Sequence, residues 1–160
     1  YFQSVGEDLY RRSLYSVWKR TAPLPNMVAF DSESREVCIM KRARTNTPLQ
    51  ALVLLNDVQF VEAARSLAEQ TLAHVTDAEA RVAWAFQSLT RRPPTDHDHE
   101  VLSTLLAAEK DHYAAEPTAA EKLLGLGDSQ PREQLDQIEL AAMTVVCHTI
   151  LNLDATVWKR

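Results

Sequence analysis

Hydrophobic side chains recur three and four positions apart along most of this chain, a spacing that predicts helices rather than strands. Residues 7–20 put Leu9, Tyr10, Leu14, Val17 and Trp18 on one face with Arg11, Arg12, Lys19 and Arg20 between them, so an amphipathic helix is expected there, stopping before Pro23 and Pro25. The segment 23–46 carries only short apolar pieces (Met27, Val28, Phe30; Val37 to Met40) and reads as an irregular connection with room for a short helical turn. Thr47-Pro48-Leu49-Gln50 then reads as a helix start: a threonine cap, a proline at the first helical position, and a glutamine three residues after the threonine to complete a capping box.

That helix is expected over about 48–55. Asn56-Asp57 ends it and offers a new cap, after which Phe60, Val61, Ala64, Leu67, Ala68 and Leu72 form a stripe to about residue 73. Thr76 and Glu79 suggest another capping box for a helix over 77–90, carried by Val82, Ala85, Phe86 and Leu89. Arg91-Arg92-Pro93-Pro94 breaks it, Thr95 caps the next helix, and Leu102, Leu105, Leu106 and Tyr113 give that helix its apolar face. Pro117 opens a further short helix ending before Gly125, and the stretch to Gln134 is turn-rich. From about 134 to 151 the chain is apolar nearly all round (Ile138, Leu140 to Met143, Val145 to Cys147, Ile150, Leu151), which places that helix at the centre. The expected fold is all-α: an irregular bundle of about six to seven helices around an apolar C-terminal helix.

Composition fits that picture. The 160 residues are 46% hydrophobic and 24% charged, with 3 glycines and 7 prolines, which suits one self-sufficient core and not a disordered chain. Tyr1-Phe2-Gln3-Ser4 reads as the end of an engineered protease-recognition tag, so the single domain is expected over residues 5–160. No apolar run approaches the roughly 20 residues that span a bilayer. The formal charge is -5, unevenly placed: residues 1–50 carry 8 basic and 5 acidic groups, and residues 51–160 carry 9 and 17. An acidic balance of this kind argues against general nucleic-acid binding and leaves room for a local anion site.

The richest candidate chemistry is Lys41-Arg42-Ala43-Arg44-Thr45-Asn46-Thr47-Pro48-Leu49-Gln50. Here cations, hydroxyls and amides precede a helix N-terminus, where free backbone amides and the helix dipole favour a carboxylate, sulfate or phosphate. Arg42, Arg44, Asn46, Thr47 and Gln50 are the candidate anion-binding residues. The competing reading is structural: Asn46 and Thr47 cap the helix, and the arginines pair with acidic neighbours.

Other clusters have plainer readings. In Asp96-His97-Asp98-His99-Glu100 the two histidines point about 200° apart on a helix, so they do not share an ion, and the acids suit a first helical turn. His148 reads as a hydrogen-bonded core histidine, and Trp18, Trp84 and Trp158 as core packing. Cys38 and Cys147 are 109 positions apart and in no metal or haem pattern; two buried thiols are expected, with a single disulfide as the alternative for an exported protein. No metal site is expected, no catalytic residue is identified, and none of the common nucleotide-binding, serine-hydrolase or zinc-protease motifs occurs.

Several stretches together carry a resemblance: Asp8 to Arg20, Phe30-Asp31 with Ser34 to Cys38, Arg44-Thr45-Asn46-Thr47-Pro48-Leu49-Gln50-Ala51-Leu52, Leu55-Asn56-Asp57, Phe60 to Arg65, and Leu151-Asn152-Leu153-Asp154. They resemble the C-terminal part of a planctomycete-type domain of unknown function, found at the carboxy terminus of large proteins that also contain a cytochrome-c-like domain. The resemblance implies export to the periplasm or cell surface, with haem in another domain of the parent protein and no cofactor in this chain. It also implies partners among the parent's other domains, or self-association through a face left exposed. It supplies no catalytic residues. Two functions follow as expectations: a non-catalytic structural or interaction module, and alternatively part of an enzyme or binding domain for anionic, sulfated glycans that uses the Arg44–Gln50 helix start.

Overall fold

The computed structural model of the chain describes residues 4, 6–19, 21–33, 36–41 and 45–157. Its regular structure is helical, as the hydrophobic spacing predicts. Among the described residues the α-helices are α1 (Pro25–Ala29), α2 (Pro48–Asn56), α3 (Val58–His74), α4 (Ala78–Thr90), α5 (Asp96–Ala115), α6 (Pro117–Leu124), α7 (Gln137–Leu151) and α8 (Asp154–Val157). The chain divides into two compact units, Tyr1–Val53 and Leu54–Arg160. Burial follows the same division. Among the described residues no hydrophobic side chain is buried before Leu54, and the whole buried core lies at or after it.

In the first unit, the amphipathic helix expected over 7–20 is not formed. Two 3-10 turns stand in its place, Gly6–Tyr10 and Ser13–Tyr15. The reason is packing: Tyr10 is 56% exposed, Leu14 76% and Val17 70%, and a helix this short draws most of its stability from burying its apolar face. The irregular 23–46 segment does contain the helical turn for which it had room, α1, opened by Pro25 at its first position. Asp31 follows it in the left-handed region at φ 57, a conformation that aspartate tolerates better than most side chains. Its carboxylate accepts from the Thr45 backbone N–H and hydroxyl, both at 2.7 Å.

The second unit is built around α7. Leu140 to Thr144, Val146, Cys147 and Ile150 are all buried, and the helix packs most extensively on α3 and α5, then on α6 and α4. Helix starts are set by side chains. Asp57, Asp77 and Asp136 cap α3, α4 and α7 by accepting from a backbone N–H two or three residues on. The Thr76/Glu79 box expected for α4 is therefore replaced by the Asp77 carboxylate, which accepts from Glu79 N–H at 3.1 Å and is charged besides. Thr95 forms a full box with Asp98 at the start of α5. These bonds, the Thr95 backbone N–H first, and Arg92 beside them hold the Asp98 carboxyl below its ordinary value.

His148 of α7 donates from Nε2 to the Leu54 carbonyl at 2.8 Å, a partly buried structural bond of the kind expected for it. The cysteines differ from the pair of buried thiols expected. Both are free, but only Cys147 is buried, while Cys38 is exposed because the segment around it lies outside any core. Burial pushes the Cys147 thiol far up, opposed only in part by a hydrogen bond with Thr71, so it is an inert core residue. Trp18 and Trp84 are half-buried rather than core residues, and Trp158 lies outside the described residues.

Candidate functional site

At the start of α2, Thr47 and Gln50 form the reciprocal pair anticipated for a capping box. The Gln50 N–H donates to Thr47 Oγ1 at 3.3 Å and the Thr47 N–H to Gln50 Oε1 at 3.2 Å. The rest of the Gln50 amide is engaged too, since Nε2 donates to the Ala29 carbonyl at 2.9 Å and to Thr45 Oγ1 at 3.1 Å. Gln50 is 2% exposed, so it works as a buried tie between α1 and α2. Asn46 is exposed. Arg42 and Arg44 lie outside the described residues. Thr45, Thr47 and Gln50 serve the cap and the Asp31 turn.

The most heavily built polar constellation lies on α3, where the sequence reading named no candidate site residue. Glu62, Arg65 and Glu69 are three and four residues apart on one face, and all are buried, with Arg65 at 2% exposure and Glu62 at 3%. The Arg65 guanidinium reaches the loop between α6 and α7. Its Nη1 donates to the carbonyl of Leu124, the last residue of α6, and to that of Leu126 at 3.0 Å. Its Nη2 donates to the Ser129 carbonyl at 2.6 Å and the Ser129 hydroxyl at 2.7 Å. A cation at the C-terminus of a helix also meets the negative end of its dipole.

The carboxylates complete the grip. Glu62 Oε1 accepts from Ser129 N–H at 2.7 Å and from the Ser129 hydroxyl, and lies 3.6 Å from Arg65 Nη2. Glu69 lies 3.9 Å from Arg65 Nε and 3.6 Å from Arg132 Nε, and accepts from the Arg132 N–H at 3.3 Å. Gly127 is required by this arrangement: its φ is +99, and a β-carbon there would stand 2.5 Å from the Glu62 side-chain carboxyl carbon. A charge removed from water is tolerated only when paired and hydrogen-bonded, and Arg65 meets that condition with backbone oxygens as much as with acids. One signal for this cluster was available in the sequence, the E-x-x-R-x-x-x-E spacing beside the apolar stripe. The same spacing also describes a solvated helix face.

A second ion cluster joins three helices. Glu139 Oε1 of α7 lies 2.7 Å from Arg81 Nη1 of α4 and 2.8 Å from Lys110 Nζ of α5, while Arg81 Nε donates to the Val75 carbonyl at 2.9 Å.

The loop that Arg65 holds forms one wall of a cleft of about 200 Å³, with α6 and the start of α7 as the others. Leu124 and Leu140, both almost wholly buried, and the half-buried Leu135 give it an apolar base. Glu121, Arg132 and Glu133 bring charge to its edge. The cleft is therefore walled by a loop fixed from beneath by a buried cation. Among the described residues no group of three or more His, Cys, Asp or Glu side chains is placed to hold a metal ion, and no helix is long and apolar enough to cross a membrane.

A family model described as PSD1, protein of unknown function (DUF1553), matches residues 1–106. No curated protein and no solved structure matches the chain. The match covers about two thirds of the sequence and includes α1 to α4 and the first half of α5, and the chain belongs to that family.

Proposed function

We propose that this member of a family of unknown function is a non-catalytic structural or interaction module of a larger, exported protein whose other domains include a cytochrome-c-like one. The observation that carries the reading is the contrast in burial. Of the exposed large apolar side chains among the described residues, all but Val101 and Leu126 lie at or before Val58. In the first unit Leu49 and Leu52, three apart at the start of α2, are both more than half exposed, while the second unit buries its own core. A unit that leaves this many apolar side chains exposed is suited to interaction with a partner.

The partner in this reading is the rest of the parent chain, in the periplasm or at the cell surface. Haem belongs to that other part, since this sequence has no CxxCH motif. Amide hydrogen exchange, measured on this chain alone and within the full-length parent, tests it: peptides covering residues 7–19 and 49–58 are expected to slow in the parent. Equal exchange in both would overturn the reading. The alternative, an anionic-glycan domain with its anion site at the α2 start, predicts instead a thermal stabilisation by sulfate over a neutral salt of matched ionic strength, lost in Arg44→Ala.

A further inference from the structure

We infer that the cleft between α6, the Arg65-held loop and α7 is a recognition slot for a single arginine or lysine side chain presented by a partner polypeptide. Its size comes first. About 200 Å³ falls below the roughly 300–1,000 Å³ of sites for drug-sized molecules and is on the scale of one long side chain. Its chemistry is divided in the way such a side chain is: Leu124, Leu135 and Leu140 offer an apolar base to a methylene stem, and the Glu121 and Glu133 carboxylates stand at the edge for a cationic head. The lining carries two carboxylates against one cation, Arg132, which itself lies 3.6 Å from Glu69, so the charge presented to a ligand is acidic on balance.

The wall is prepared in advance. The loop carrying Gln130 to Leu135 is fastened at Ser129 by Arg65 and Glu62 and at Arg132 by Glu69, so binding need not order it. The cation lies with the partner because the second unit is itself acidic; residues 51–160 carry 17 acidic against 9 basic groups. This inference deepens the interaction-module reading by naming what a partner must present. It stands on different residues, so the hydrogen-exchange result on residues 7–19 and 49–58 and the result below fail independently.

The test is an NMR titration of the isotope-labelled chain with N-acetyl-arginine amide, against N-acetyl-citrulline amide as the neutral near-isostere. Arginine is expected to shift the amides of residues 121–140 with half-saturation in the millimolar range, roughly three- to fivefold tighter than citrulline, as suits ion pairs at an exposed edge. Glu121→Gln with Glu133→Gln is expected to remove that difference. Both residues are exposed, so the variant's unchanged amide spectrum elsewhere shows that the fold is kept. Equal affinity for arginine and citrulline, shifts lying elsewhere, or a double variant that still prefers arginine would each overturn the proposal.

Discussion

Helix-spaced apolar residues occur in both units, at Leu9, Tyr10, Leu14, Val17 and Trp18 in the first and at Val82, Ala85, Phe86 and Leu89 in the second, yet only the second set forms a helix. The two stretches differ little in pattern. They differ in what lies across from them. Val82, Ala85 and Phe86 are buried in the core of the second unit, and α4 carries an aspartate cap at its start. Leu14 and Val17 remain exposed, and the chain there settles for two short 3-10 turns. The comparison teaches that a periodic pattern states which face a helix would bury, while the helix itself depends on a surface to bury it against.

Phe86→Ala should have the largest effect among changes that probe this contrast. Phe86 is fully buried, and its removal is expected to lower stability by about 3–5 kcal/mol in a urea titration followed by helical circular dichroism. A loss below about 1 kcal/mol would mean that the second unit's core is looser than described. Gly127→Ala comes next, since a methyl group there meets Glu62 and φ is positive; roughly 1–3 kcal/mol of destabilisation is expected, with faster amide exchange over residues 125–132. If exchange in that loop did not change, the Arg65 cluster would not be what holds it.

Thr95→Ala removes one half of the α5 capping box and should cost about 1 kcal/mol. Its pH dependence has a definite sign. The Asp98 carboxyl is depressed in the folded chain, so its contribution is present above the ordinary aspartate value of 3.8 and is lost as pH falls through the folded one. In Thr95→Ala that acid-dependent part should shrink, read from thermal midpoints between neutral and acid pH. Leu14→Ala should have the smallest effect, within about 0.5 kcal/mol in the chain alone. A large loss there would show that the first unit has a core of its own.

The all-α class, the positions of α2 to α7, and the caps at Thr47, Asp57 and Thr95 were legible in the sequence, because each rests on residues within a few positions of one another. The central place of α7 was legible as well, since a helix apolar on every side has nowhere else to go. Two features were set only in three dimensions: the failure of the 7–20 helix, and the burial of Glu62, Arg65 and Glu69. The partners of Arg65 are backbone oxygens about sixty residues away, at Leu124, Leu126 and Ser129, and no local pattern marks a carbonyl as a ligand. Spacing along the chain determines what each segment is able to bury. Contacts between distant segments decide whether it does, because a buried charge or an apolar face is stable only when its partners arrive from elsewhere in the fold.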